Sequence, residues 1–326
     1  MPLQPQEPTH LDTPGFTGIL HLLLEYADDI LLLRLLNRSA RDGIDAKLWS
    51  HIVLNEATIQ LPQGFISAAK YTFDGPPSAD DDTAAQVLRL PLNDHVVARF
   101  LPFARIVDPS TASGLPTRHL VTSTNMPRLT TVRLMPEWDA GESQLDIFDA
   151  PEYIIYATCR HPCGIVDRSR AYPPSLKRLV INVLVDTSEG IWPEGVDLAP
   201  GYPDDMHCTV IFRDASSATP LGPDRWYWSA YRPPAMGTFR PLAKAMTEQG
   251  RRLAVTFVNF ELLRPEWLGM QEDATVLGHE YLRLLVAAEA PRSEVAPSWA
   301  EGVEFLTVAE YISKVGRERF ALETGV

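Results

Sequence analysis

Apolar residues crowd the start of this chain and then fall into short, separated runs. Residues 16–36 hold Phe16, Ile19, Leu20, Leu22, Leu23, Leu24, Tyr26, Ile30, Leu31, Leu32, Leu33, Leu35 and Leu36. Polar breaks at Glu25 and at Asp28-Asp29 predict two short helices, over 16–27 and 29–39, with Asp28 or Asp29 as N-cap of the second. A third short helix is expected through Ala40–Ala46, and Trp49–Leu54 reads as an exit into a strand. At about 100° per residue, the leucines of the second helix point in nearly every direction except that of Arg34. In the first, Ile19, Leu22, Leu23 and Tyr26 form one face while Leu20 and Leu24 point elsewhere. A surface helix shows a single apolar stripe, and each leucine left in water forfeits about 1.5–3 kcal/mol. The rest of the chain or another protein must cover this surface.

Further along, strand-length apolar runs recur at Ala104–Val107, Thr131–Leu134, Tyr153–Thr158, Leu179–Val185, Cys208–Phe212 and Leu253–Phe260. They are spaced by roughly 20–30 residues, with a wider last gap. Between them lie proline-rich loops and two candidate helices, Pro241–Gln249 and Thr275–Ala288. Continuous apolar runs suit strands buried on both faces, the habit of parallel sheets. A return of about 20 residues holds one crossover and little else. An α/β domain of repeated strand–crossover units is therefore expected over 55–326, its sheet over about 90–315. Leu129-x-x-Val132-x-Leu134 and Leu176-x-x-Leu179-x-Ile181 follow the spacing of leucine-rich-repeat strands. A non-repeating α/β domain is the plainer alternative.

Composition narrows the classes. Of 326 residues, 45% are hydrophobic and 22% charged, the balance of a globular chain. Twenty-eight prolines disfavour a bundle of long helices. The net charge of −13 repels phosphate polyanions, and lysines and arginines nowhere run beyond a pair, so nucleic acid is an unexpected partner. No run reaches the ~20 apolar residues of a membrane span. Three cysteines cannot all pair within one chain, which suits the cytoplasm or nucleus rather than secretion. Residues 1–12, with three prolines and no apolar signal core, read as a disordered tail.

The segment from Thr13-Pro14 to Leu54 resembles an F-box. It has a proline before the first helix (Pro14), a Leu/Ile-rich first helix (Ile19, Leu20, Leu23, Leu24), the stretch Leu31-Leu-Leu-Arg-Leu-Leu-Asn-Arg-Ser39, and the ending Leu48-Trp49-Ser-His-Ile-Val-Leu54. Two positions depart from the family pattern: Ala40 stands where an aromatic is usual, and Thr13-Pro14 replaces the usual Leu-Pro. The layout is similar to that of fungal F-box-like proteins carrying irregular leucine-rich-repeat-like strands. The resemblance implies a helical module at 13–54 that docks onto a Skp-family adaptor, itself joined to a cullin scaffold. The larger domain would then present a protein substrate to the ubiquitin ligase. The docking residues it implies are Pro14, Ile19, Leu20, Leu23, Leu24, Leu31, Leu32, Leu35, Leu36 and Trp49, acting by apolar burial in a groove. The alternatives are helices that merely cap the α/β core, a scaffold protein that has lost adaptor binding, and an α/β enzyme without a recognised motif.

Catalytic chemistry finds little support. Cys159, His161 and Cys163, with His207-Cys208 later, offer zinc-ligand types, but Cys-x-x-x-Cys without a second pair is a weak signal. His279-Glu280 begins a zincin helix, yet Arg283 occupies the second histidine position. Phosphate loops, dinucleotide glycine motifs and nucleophile elbows are absent. Neither metal nor cofactor is expected, and the protein is read as non-catalytic. A possible substrate surface is Arg225, Trp226, Trp228 and Tyr231, since aromatics and arginine anchor interfaces. The same aromatics would serve equally as a small local core.

Overall fold

The computed structural model describes residues 38–54, 58–61, 89–91, 93–109, 124–134, 148–158, 173–185, 206–214, 239, 254–264, 279–280, 282–284 and 302–324. Helix α1 (Arg38–Leu48) leads into β1 (His51–Leu54), followed by β2 (Thr58–Gln60) and β3 (Arg89–Pro91). Helix α2 (Asp94–Phe100) starts at Asn93, whose side-chain oxygen accepts from the Val96 N–H, and runs into a single 3-10 turn at Leu101–Phe103. Strands β4 (Ile106–Pro109), β5 (Thr131–Leu134), β6 (Glu152–Thr158), β7 (Arg178–Val185), β8 (His207–Asp214), β9 (Ala254–Val258) and β10 (Val303–Leu306) follow, then α3 (Val308–Val315) and α4 (Arg317–Thr324).

The ten strands among the described residues form one sheet, in the order β10-β9-β8-β7-β6-β5-β4-β1-β2-β3. From β1 through β4 to β10 every pairing is parallel and follows chain order. The parallel reading from apolar runs holds there. At the other edge β1–β2 and β2–β3 pair antiparallel, so the sheet is mixed. The last residues of the 13–54 segment are thus a strand of this sheet, wedged between β4 and β2.

Strand entries repeat a local device. The Ser50 carbonyl accepts from the N–H groups of Arg105 and Ile106, the Arg105 carbonyl from Thr130 and Thr131, and the Pro151 carbonyl from Lys177 and Arg178. Turns closed by Leu129 N–H to the Met126 carbonyl and by Leu176 N–H to the Pro173 carbonyl precede β5 and β7. Leu129, Val132, Leu134, Leu176, Leu179 and Ile181, the six positions singled out by spacing, are all buried in one core.

Side chains alternate across a strand, and the two faces of the sheet differ. One face carries Ile52, Leu54, Val107, Val132, Leu134, Tyr153, Ile155, Leu179, Ile181, Val183, Val185, Val210, Phe212, Val255 and Phe257 in the main core. Phe212, Phe239, Phe257 and Phe260 meet there, mostly edge-to-face or tilted, with ring centroids 5.2–6.4 Å apart. The opposite face carries a smaller core of Ile154, Tyr156, Val180, Ile211 and Val258, closed by Tyr311 of α3.

Boundaries moved for identifiable reasons. The run expected at Ala104–Val107 begins two residues later, because Ala104 caps the 3-10 turn at Leu101–Phe103, and it continues to Pro109. β9 stops at Val258 because Asn259 takes a left-handed conformation (φ 62°). Residues 279–280 and 282–284 are helical, within the expected Thr275–Ala288. Residues 1–12 and Pro241–Gln249 lie outside the described residues.

Candidate functional site

The polar face of the sheet is built in rows. Register aligns Thr131, Glu152, Arg178 and His207 in the first row. The second runs Arg133, Ile154, Val180, Thr209, Thr256 and Glu304. A third holds Tyr156, Asn182, Ile211 and Val258. Over these rows lie α3 and α4. Helix α3 begins with a full capping box: the Thr307 hydroxyl accepts from the Glu310 N–H at 3.2 Å, and the Thr307 N–H donates to Glu310 Oε2 at 2.8 Å.

Glu323 of α4 sits at the centre, fully buried. Its Oε1 accepts from Arg178 Nη1 and Arg319 Nε, both at 2.6 Å. Its Oε2 accepts from the Tyr311 hydroxyl at 2.6 Å, and Tyr311 in turn accepts from Arg178 Nη2 at 2.8 Å. Glu152 Oε1 accepts from Arg178 and Arg319, and its Oε2 from the Thr131 hydroxyl at 2.9 Å. Two carboxylates and two guanidiniums thus balance, with all four carboxylate oxygens bonded, the condition for tolerating buried charge. Burial opposes ionisation of Glu152, but the bond to Arg319 and the charges of Arg178 and Arg319 outweigh it and hold its carboxyl below the usual range. Burial pushes the Tyr311 hydroxyl up, against the pull of Arg178.

A second set of bonds ends α4. A helix leaves its last carbonyls without intrahelical partners, and here the sheet supplies donors. Leu322 O accepts from Arg133 Nη1 at 3.2 Å and from the Tyr156 hydroxyl at 3.3 Å. Glu323 O accepts from Asn182 Nδ2, and Thr324 O from Arg213 Nη1, each at 2.5 Å. Four consecutive strands, β5 to β8, each send one side chain to this helix end. Arginines there also complement the negative end of the helix dipole. Arg133 is held in place by a two-point bond to Asp108, both contacts 2.9 Å, and Asp108 meets His51 Nε2 at 3.0 Å. Burial drives the Tyr156 hydroxyl up to about 12.

At the far side, His207 Nε2 lies 3.0 Å from Thr256 Oγ1, which donates to Glu304 Oε2 at 3.1 Å; Lys314 Nζ donates to the same oxygen at 2.5 Å. Burial, with Arg178 and Lys314 nearby, lowers the His207 pKa. His207 faces this polar side while Cys208 is in the main core, so the pair cannot ligate one metal ion. Cys159, His161 and Cys163 lie outside the described residues. His279 and Arg283 both pack on the Phe305 ring, at 5.5 and 5.6 Å.

Of the residues the sequence nominates for adaptor docking, Pro14, Ile19, Leu20, Leu23, Leu24, Leu31, Leu32, Leu35 and Leu36 lie outside the described residues, as do Arg225, Trp226, Trp228 and Tyr231. Trp49 is described, and its position corrects its assigned role. It is 2% exposed, with its ring centroid 4.4 Å from that of Phe100. Its indole is consumed inside the chain's own core, where it fixes α1 against α2, and no outside groove can take it. No family model, curated protein or solved structure matches the chain. Among the described residues no helix is long and apolar enough to cross a membrane.

Sequence reasoning named His207 only as a zinc-ligand type and missed the rest of the polar face. Glu152, Arg178 and His207 look like solvated charges flanking apolar runs. Their signal was positional: each stands directly before the run, at the same place in successive strands.

Proposed function

We propose that this chain is a non-catalytic substrate-recognition subunit of a Skp/cullin/F-box-type ubiquitin ligase. Residues 13–54 bind the adaptor, and the sheet domain, read as leucine-rich-repeat-like, binds a protein substrate. The observation that carries the reading is the strand order: from β4 to β10, six successive parallel pairings, each to the next strand in the chain. Stacked strand–crossover units produce this order, and such arrays serve as extended binding surfaces. The leucine-rich segment before α1 supplies the other half of the reading. Helix α1 ends at Leu48, two residues before β1, so the segment that precedes it in sequence is joined to the sheet by this helix.

The test is capture of the full-length chain by purified Skp-family adaptor. The folded chain co-purifies, and the double substitution Leu20→Asp with Leu24→Asp abolishes capture while the cooperative melt of the sheet persists. A folded chain that the adaptor ignores overturns the proposal. Unfolding of the whole sheet by the double substitution assigns those leucines to the core instead.

A further inference from the structure

We infer that α4 occupies the recognition surface of the sheet as a built-in stand-in, and that the natural ligand of this face is a protein helix whose next-to-last residue is acidic. The inference rests on the receptor reading above and names its substrate class. Three observations carry it. The sheet holds the end of α4 through bonds that any helix of like ending could make: three successive main-chain carbonyls are taken by Arg133, Tyr156, Asn182 and Arg213. Two sheet contacts read a side-chain charge on α4: Arg178 meets the Glu323 carboxylate, and Glu152 meets Arg319, four residues earlier. The site also retains unused capacity under α4, because Asn182 Oδ1 is fully buried and has no hydrogen-bond partner among the described residues. A ligand bringing one more donor would satisfy it.

Attachment of α4 suits replacement. It joins α3 through Gly316, which is exposed, has φ +89°, and has nothing within 4 Å of where a Cβ would stand. Rotation there swings α4 away while α3 stays fixed by its capping box and by Tyr311. The face then uncovered presents Arg133, Arg178, Arg213, Asn182 and Tyr156 around the apolar floor of Ile154, Val180 and Ile211. Phe320 and Leu322 of α4 pack on that floor, so the ligand carries apolar residues one and three positions before its acidic one.

The experiment uses the full chain with a specific protease site inserted at Gly316. The probe is a fluorescent peptide of the sequence Gly-Arg-Glu-Arg-Phe-Ala-Leu-Glu-Thr, residues 316–324. After cleavage the labelled peptide exchanges into the folded protein, while the uncut chain takes up none. Changing the peptide residue equivalent to Glu323 to Gln weakens binding by about 30-fold or more, and Arg178→Met in the protein does the same. Uptake by the uncut chain to the same degree, failure of the folded cut chain to bind, or collapse of the sheet on cleavage each overturns the inference. Adaptor capture is measured on the same samples. Its loss with peptide exchange intact rejects the ligase role and leaves the helix-end site standing, and the reverse result rejects only the site.

Discussion

Turning β7 over exchanges one kind of chemistry for another. Leu179, Ile181, Val183 and Val185 on one side are buried in the main apolar core. Arg178 and Asn182 on the other side meet Glu323, Tyr311 and a helix carbonyl. Both faces are buried, but one is held by area and shape and the other by direction. Apolar burial tolerates rearrangement provided volume is kept, whereas a buried ion pair tolerates loss of neither partner. The apolar face therefore builds the sheet, and the polar face specifies what may lie on it.

The sharpest way to break the contrast is to damage each face once. Phe257→Ala removes a ring that touches Phe212, Phe239, Phe260 and Phe305, and should cost about 3–5 kcal/mol in urea unfolding. Glu323→Ala strips Arg178 and Tyr311 of a shared acceptor inside the fold and should cost about 3 kcal/mol. Glu323→Ala and Arg178→Met combined should cost less than their sum, since the second removes the charge the first strands. Additive losses would show that the pair is not coupled. Thr307→Ala removes the cap of α3 and should cost about 1 kcal/mol, read as a small shift of the same midpoint.

The weakest effect is a slope. His207 has a lowered folded pKa, so the unfolded chain binds its proton more readily. Stability is then full above the ordinary histidine value near pH 6.5 and declines as pH falls below it. Glu152, also lowered, adds a second decline below about pH 4.5. His207→Gln should flatten the upper decline in a pH series of urea midpoints and leave the lower one. An unchanged upper slope would remove His207 as its source.

The strands were legible because apolar runs announce themselves. Thr131–Leu134 was found to the residue, and the runs at Tyr153–Thr158 and Leu179–Val185 missed only the leading Glu152 and Arg178. Those omitted residues are the site. A charge at the head of an apolar run looks like a solvated end until its partner is known, and the partner of Arg178 lies 145 residues away. Asp108 hid the end of β4, expected to stop at Val107, for the same reason: a carboxylate inside a strand argues against burial unless a two-point arginine stands opposite. Trp49 was read the wrong way round, since its pairing with Phe100 needs α2, whose approach no local pattern foretells.

The helix end bonded to β5, β6, β7 and β8 has a mechanical consequence. Arrays whose strands adjoin in chain order unravel from their ends, each unit depending only on its neighbours. Here α4, which follows β10 and α3, is stitched to four central strands at once, like a batten nailed across planks. Peeling β10 would drag on the middle of the sheet, so this half of the molecule should come apart in one step rather than fray.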